Sequence, residues 1–175
     1  MKPLRLLLVM LSSLLGFIAN LSADPLKAGD AAPAITATTE TGASLALADV
    51  YPKGYTLVYF YPKADTPGCT KQGCSLRDSY ETLLKKGVTV IGVSHDDAAA
   101  QKAFKEKYNL PFTLLADTDS AVMKAFGVPN IPATSLATRQ AYLIDKSGKI
   151  VWADYKASTD KQAADVLAEL AKLGV

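Results

Sequence analysis

Short apolar runs rich in β-branched and aromatic residues, separated by stretches with helical spacing, constrain this chain more than any other feature. Residues 55–61, 88–93, 112–115 and 141–145 show little polar alternation, as expected of strands buried on both faces. Lys146-Ser147-Gly148-Lys149 turns the chain into a further strand at 150–152. Earlier, 35–38 and 44–47 flank Glu40-Thr41-Gly42 and read as a short hairpin. The intervening segments have helical periodicity. Residues 70–86 space Leu76, Tyr80, Leu83 and Leu84 on one face and end before Gly87. Residues 98–108 carry Phe104, 120–126 form a short helix before Gly127, and 159–173 close the chain with Thr159 or Asp160 as cap. This order implies an α/β fold: a mixed central sheet flanked by helices on both faces, with an N-terminal β-hairpin extension.

The first 23 residues stand outside that pattern. Lys2 and Arg5 precede an apolar stretch of about 13 residues, too short for the ~20 that span a bilayer. Small residues follow at 19–23, so 1–23 reads as a secretory signal peptide and 24–175 as one domain. An uncleaved signal anchoring the protein to a membrane is the alternative. Lys2 and Arg5 account for the whole excess of 19 basic over 17 acidic residues. The remaining chain is neutral overall and has no charge footprint for nucleic acid or for stable association with an anionic membrane.

The chemistry concentrates on two cysteines, Cys69 and Cys74, and one histidine, His95. This set is too small for a metal site, which needs three or four paired ligands. The strand at 55–61 runs through Pro62-Lys63-Ala64-Asp65 into a helix start, with Thr66 as N-cap and Pro67 in the first helical position. Cys69 then falls in the first turn, where unpaired N–H groups and the helix dipole favour the thiolate, the nucleophilic form. In an α-helix a five-residue offset separates Cα atoms by about 8.6 Å, whereas a disulfide needs them within ~7 Å. Cys69 shares a face with Leu76, Tyr80 and Leu83, and Cys74 lies nearer Arg77, Asp78 and Glu81. Gly73 weakens the helix between them by about 1 kcal/mol relative to Ala, so the first turns can unwind and let an oxidised Cys69 meet Cys74. The residues alone leave two other readings open: a buried inert thiol beside an incidental one, or a static disulfide in a non-helical loop.

The run 60–70, Phe-Tyr-Pro-Lys-Ala-Asp-Thr-Pro-Gly-Cys-Thr, followed by Gln72, Cys74, Arg77 and Asp78, resembles the peroxiredoxins. Within them it is most similar to the peroxiredoxin Q, or bacterioferritin-comigratory-protein, group. The likeness continues through 92–94, 112–117, 126–128 and Arg139 before the strand 142–145. It implies a thioredoxin-like fold and a peroxidase that needs no cofactor. By this resemblance Cys69 is the peroxidatic cysteine and Cys74 the resolving cysteine that closes an intramolecular disulfide. Thr66 hydrogen-bonds the peroxide, Arg139 stabilises the thiolate and the transition state, and Pro62 shields the site from water. The substrates implied are hydrogen peroxide and organic hydroperoxides, the partner is a thioredoxin or thioredoxin-like electron donor, and the protein is a monomer. Arg77 with Asp78 reads as a structural ion pair and His95 as a surface-loop residue.

Three features depart from the group: Gly73 stands where Ala is usual, the segment 129–138 is short and unusually composed, and the export signal points to a bacterial periplasm. Two rival functions remain. A thioredoxin-class oxidoreductase would use C-x-x-C within one turn, against the four residues that intervene here. A non-catalytic exported binding domain would use the fold alone.

Overall fold

The structure, a computed structural model, describes residues 24–175. Residues 1–23, where the sequence suggests a signal peptide, lie outside the described residues. The chain forms β1 (Thr36–Thr39), β2 (Ser44–Ala46), two 3-10 turns, β3 (Tyr55–Phe60), α1 (Pro67–Asp78) and α2 (Tyr80–Lys85). It continues through β4 (Val88–Ser94), α3 (Ala98–Tyr108), β5 (Thr113–Ala116), α4 (Ala121–Ala125), β6 (Gln140–Ile144), β7 (Ile150–Asp154) and α5 (Gln162–Lys172).

The strands make one mixed sheet in the order β2-β1-β5-β4-β3-β6-β7. At its centre β3 runs parallel to β4 and antiparallel to β6. Side chains alternate across a strand, so β3 feeds two cores at once. Leu57, Tyr59 and, just beyond the strand, Tyr61 enter one cluster, while Val58 and Phe60 enter the other. Burial on both faces is why the sequence lacks polar alternation here. The first cluster lies under α1, α2, α3 and α5, through Leu76, Leu83, Phe104, Val166 and Leu170. The second is closed by α4 and the 3-10 turns, through Val122, Met123, Leu47 and Tyr51. Covering four helices' apolar stripes, the first cluster is the one that frames α1.

The expected hairpin forms, and it joins the main sheet: β1 pairs antiparallel with β5, Thr38 opposite Ala116. The buried Glu40 beyond β1 fixes this edge. It accepts from Leu114 N–H at 3.0 Å and pairs with Lys105 of α3 at 2.5 Å. The helix 98–108 forms with its expected bounds, capped by Asp97, which accepts from Ala100 N–H at 2.8 Å, and closed by the left-handed Asn109.

Two expectations are corrected. The single helix expected over 70–86 is broken at Ser79 into α1 and α2. In α2 Leu83 is fully buried in the first cluster while Leu84 is exposed. The final helix begins at Gln162, and neither Thr159 nor Asp160 caps it. Ser158 instead organises the preceding turn, its hydroxyl donating to Asp160 at 2.8 Å and accepting from Lys161 N–H at 3.1 Å. Among the described residues no helix is long and apolar enough to cross a membrane.

Candidate active site

Beyond the C-terminal end of β3, where open α/β sheets place their ligands, the chain makes a tight loop before α1. Two anchors hold it. Asp96, after β4, accepts from Ala64 N–H and from the Ser94 hydroxyl, both at 2.7 Å. Behind it the buried Gln101 of α3 donates to Ser94 at 2.8 Å and accepts from the Tyr61 hydroxyl. Burial holds the Tyr61 phenol far above its usual range, so it stays a donor. On the outer side Asp65, in a left-handed conformation, accepts from Lys107 at 2.7 Å and from the Tyr108 hydroxyl at 2.6 Å.

The loop delivers Thr66 to the N-cap of α1 with extended dihedrals, and Pro67 follows in the first turn. Thr66 C=O accepts from Thr70 N–H at 2.8 Å. Its hydroxyl does not cap the helix, as the sequence suggested, but donates to Lys63 C=O at 2.9 Å. The N–H groups of Gly68 and Cys69 therefore have no hydrogen-bond partner among the described residues. Cys69 sits over this electropositive turn, 2% exposed and packed in the first core cluster.

Arg139, immediately before β6, reaches across the sheet end and places Nη2 3.4 Å from Cys69 Sγ. Gly68 permits this approach, because a Cβ there would lie 3.3 Å from the same nitrogen. The second guanidinium nitrogen donates to the buried Gln72, whose amide in turn donates to the buried Gln162 at the start of α5. Cys74 stands in the same unbroken α1 as Cys69, half-buried, and both thiols are free. Helical geometry keeps the pair out of disulfide range. Gly73 beside it is packed against Leu110 and Phe104, with room for a methyl group at 3.4 Å. Arg77 pairs with Asp78 at 2.8 Å and also donates to Tyr108 C=O at 2.8 Å, which ties the end of α1 to the end of α3.

Of the residues singled out in the sequence, Cys69 and Arg139 are in direct contact, Thr66 begins the same helix, and Cys74 follows within it. Pro62 is half-buried, one residue past the buried Tyr61. His95 lies in the loop after β4, half-buried, its Nδ1 3.2 Å from Ser120 Oγ. The segment 129–138 is a miniature hairpin closed by its own backbone, with Ile131 N–H donating to Leu136 C=O at 2.8 Å and Thr138 N–H to Pro129 C=O at 2.9 Å.

The profile of the AhpC/TSA family matches residues 28–153. The chain belongs to that family. It is 50% identical over 123 residues to the chloroplastic peroxiredoxin Q of Oryza sativa subsp. japonica, covering 70% of this chain and 56% of that protein. The chain thus spans little more than half the length of these plant relatives. It is 41% identical over 153 residues to the peroxiredoxin bcp of Coxiella burnetii, covering 83% of this chain and 99% of that one. The crystal structure of peroxidoxin BcpB from Mycobacterium tuberculosis matches with a TM-score of 0.79 at 29% identity, over 85% of this chain and 98% of that chain. The architecture is the thioredoxin-like fold of these family members.

Sequence reasoning missed Gln101 and Gln162 and gave Gln72 no role of its own. A signal was present. Gln162, Val166 and Leu170 share one face of α5, and Gln101 shares one with Phe104. A polar side chain on an apolar stripe must find partners when buried.

Proposed function

We propose that the protein is a thiol peroxidase that reduces hydrogen peroxide and organic hydroperoxides. The observation that carries this reading is Cys69 Sγ, set on the open first turn of α1 with Arg139 Nη2 3.4 Å away. The helix start and the guanidinium stabilise the negative charge of the reacting atoms as the sulfur attacks. The Cys69 thiolate attacks the terminal oxygen of ROOH and the O–O bond breaks. Sulfur takes the OH as a sulfenic acid, and the departing alkoxide or hydroxide takes a proton to leave as alcohol or water. In this reading the free N–H of Cys69 and the Thr66 hydroxyl, turned from Lys63, bind the peroxide, and Pro62 keeps bulk water off the sulfur.

Cys74 then attacks the sulfenic sulfur, water leaves, and a Cys69–Cys74 disulfide forms. Both residues lie in one α-helix, so this step requires α1 to open. A thioredoxin-like dithiol restores the pair by exchange. Lys2, Arg5, the apolar 6–18 stretch and the small residues after it support export to a bacterial periplasm, with 24–175 as the working domain. The monomeric state rests on the family resemblance.

Mass spectrometry after one equivalent of hydrogen peroxide tests the chemistry. Wild type gains an internal disulfide, two mass units lighter than the dithiol by loss of two hydrogens, and Cys74→Ser gains one oxygen on Cys69. Absence of both products would remove the peroxidase reading. Insulin reduction without peroxide turnover would replace it with thiol–disulfide exchange.

A further inference from the structure

One buried side chain at the rim of the site has no place in the chemistry above. Gln162, the first residue of α5, is 1% exposed and lies on the stripe it shares with Val166 and Leu170. An apolar residue would satisfy that stripe. Gln162 instead accepts a hydrogen bond from the Gln72 amide, and its own Nε2 has no partner among the described residues. A buried donor left unpaired carries a cost in stability.

The donor and acceptor inventory explains what the cost secures. A guanidinium only donates, so Gln72 must turn its single side-chain oxygen towards Arg139. Its NH2 group then points away and, at 0% exposure, is out of reach of bulk water. Only an acceptor on the far side keeps Gln72 in this orientation, and Gln162 Oε1 is that acceptor. A flipped Gln72 would face Arg139 with donors against donors. The surroundings fix Gln162 in turn. Ala157 N–H donates to Arg139 C=O at 3.3 Å, Ser75 Oγ donates to Asp160 C=O at 3.3 Å, and Thr159 packs beside Gly68. The approach to α5 is therefore bound both to the arginine strand and to α1.

We infer that Gln162 is a positioning residue for the peroxidatic step, acting through Gln72 to hold the Arg139 guanidinium against Cys69. The inference rests on the peroxidase reading of the same site. It has a second consequence. Gln72 lies between the two cysteines, so the relay exists only while α1 is helical and must break before the disulfide closes.

The test uses the Cys74→Ser protein, in which the first step stands alone, and follows sulfenic acid formation with hydrogen peroxide across pH. Gln162→Met keeps length and bulk but removes the oxygen acceptor. It lowers the rate constant about tenfold, as expected for losing one hydrogen bond to a charged network, and moves the rate profile to higher pH. Gln162→Glu restores an acceptor and removes the unpaired amide, and its rate constant stays within about threefold of the parent. Equal rates and profiles for Gln162→Met and the parent would overturn the inference, as would equal loss in both variants, which marks a packing role. Side-chain hydrogen exchange in the unmutated reduced protein provides an independent check. The Gln72 NH2 protons are protected in the dithiol and exposed in the disulfide form; solvent-rate exchange in the dithiol would also overturn the inference. A parent that forms no sulfenic acid refutes the peroxidase reading itself, a separate outcome from failure of the Gln162 relay.

Discussion

The two halves of α1 differ in how they are held. The Cys69 half is gripped from several sides: Arg139 on the sulfur, Gln72 and Gln162 behind the arginine, and a loop fastened by Asp96 and by Asp65. The Cys74 half has a glycine instead of a packed methyl, a half-buried thiol, and only exposed or part-buried polar ties, from Ser75 to Asp160 and from Arg77 to Tyr108. A nucleophile needs its electrostatic partners in place before the reaction, because charge develops faster than side chains can rearrange. A resolving thiol needs the opposite, a segment that can leave its helix at small cost. The contrast assigns rigidity to one step of the proposed cycle and mobility to the other.

The largest effect that sharpens this comparison is on the rigid half. Arg139→Met should lower the rate constant for sulfenic acid formation about a hundredfold, the scale of losing one preorganised charge-stabilising donor. Stopped-flow measurement in the Cys74→Ser protein reads it, and in the Arg139→Met protein that keeps Cys74 disulfide formation from preformed sulfenic acid should not slow. Equal losses in both steps would break the division between the halves.

On the mobile half the expected change is smaller and of opposite kind. Gly73→Ala puts a methyl group 3.4 Å from Leu110, an ordinary contact, and stabilises α1 by about 1 kcal/mol. Disulfide formation should slow about fivefold, and the fraction over-oxidised at excess peroxide should rise. The sulfenic acid step stays unchanged. Faster disulfide closure in this variant would show that Gly73 is not where the helix yields.

The smallest effect concerns the outer clamp. Hydrogen bonds from Lys107 and Tyr108 hold the exposed Asp65 carboxyl below the usual carboxylate range. A lowered folded value means that the clamp's stabilisation is complete above that range and is lost as pH falls through the lowered value. Urea midpoints of wild type and Asp65→Asn should therefore differ slightly at pH 7 and converge in acid, with the difference reduced by salt. A large change in peroxide reactivity on this substitution would move Asp65 from the periphery of the clamp into the site.

Much of this arrangement could be read along the chain. The helix start at Thr66-Pro67, the place of Cys69 in its first turn and the offset to Cys74 are local, and local geometry follows from propensity and spacing. Arg139 was reached only through family resemblance, since its contact with Cys69 spans 70 positions. The break at Ser79 was not legible, because the apolar spacing of Leu76, Tyr80 and Leu83 continues through it.

The sequence by itself determined the alternation of strands and helices, the buried centre of the sheet and the identity of the two thiols, because periodicity and capping act over a few residues. Only the tertiary structure decided which polar groups meet at the sheet end. Gln72 and Gln162 are 90 positions apart and share no local pattern. They meet because α1 and α5 pack on the same face of the sheet, and once buried there the Gln72 amide could find its acceptor only on Gln162.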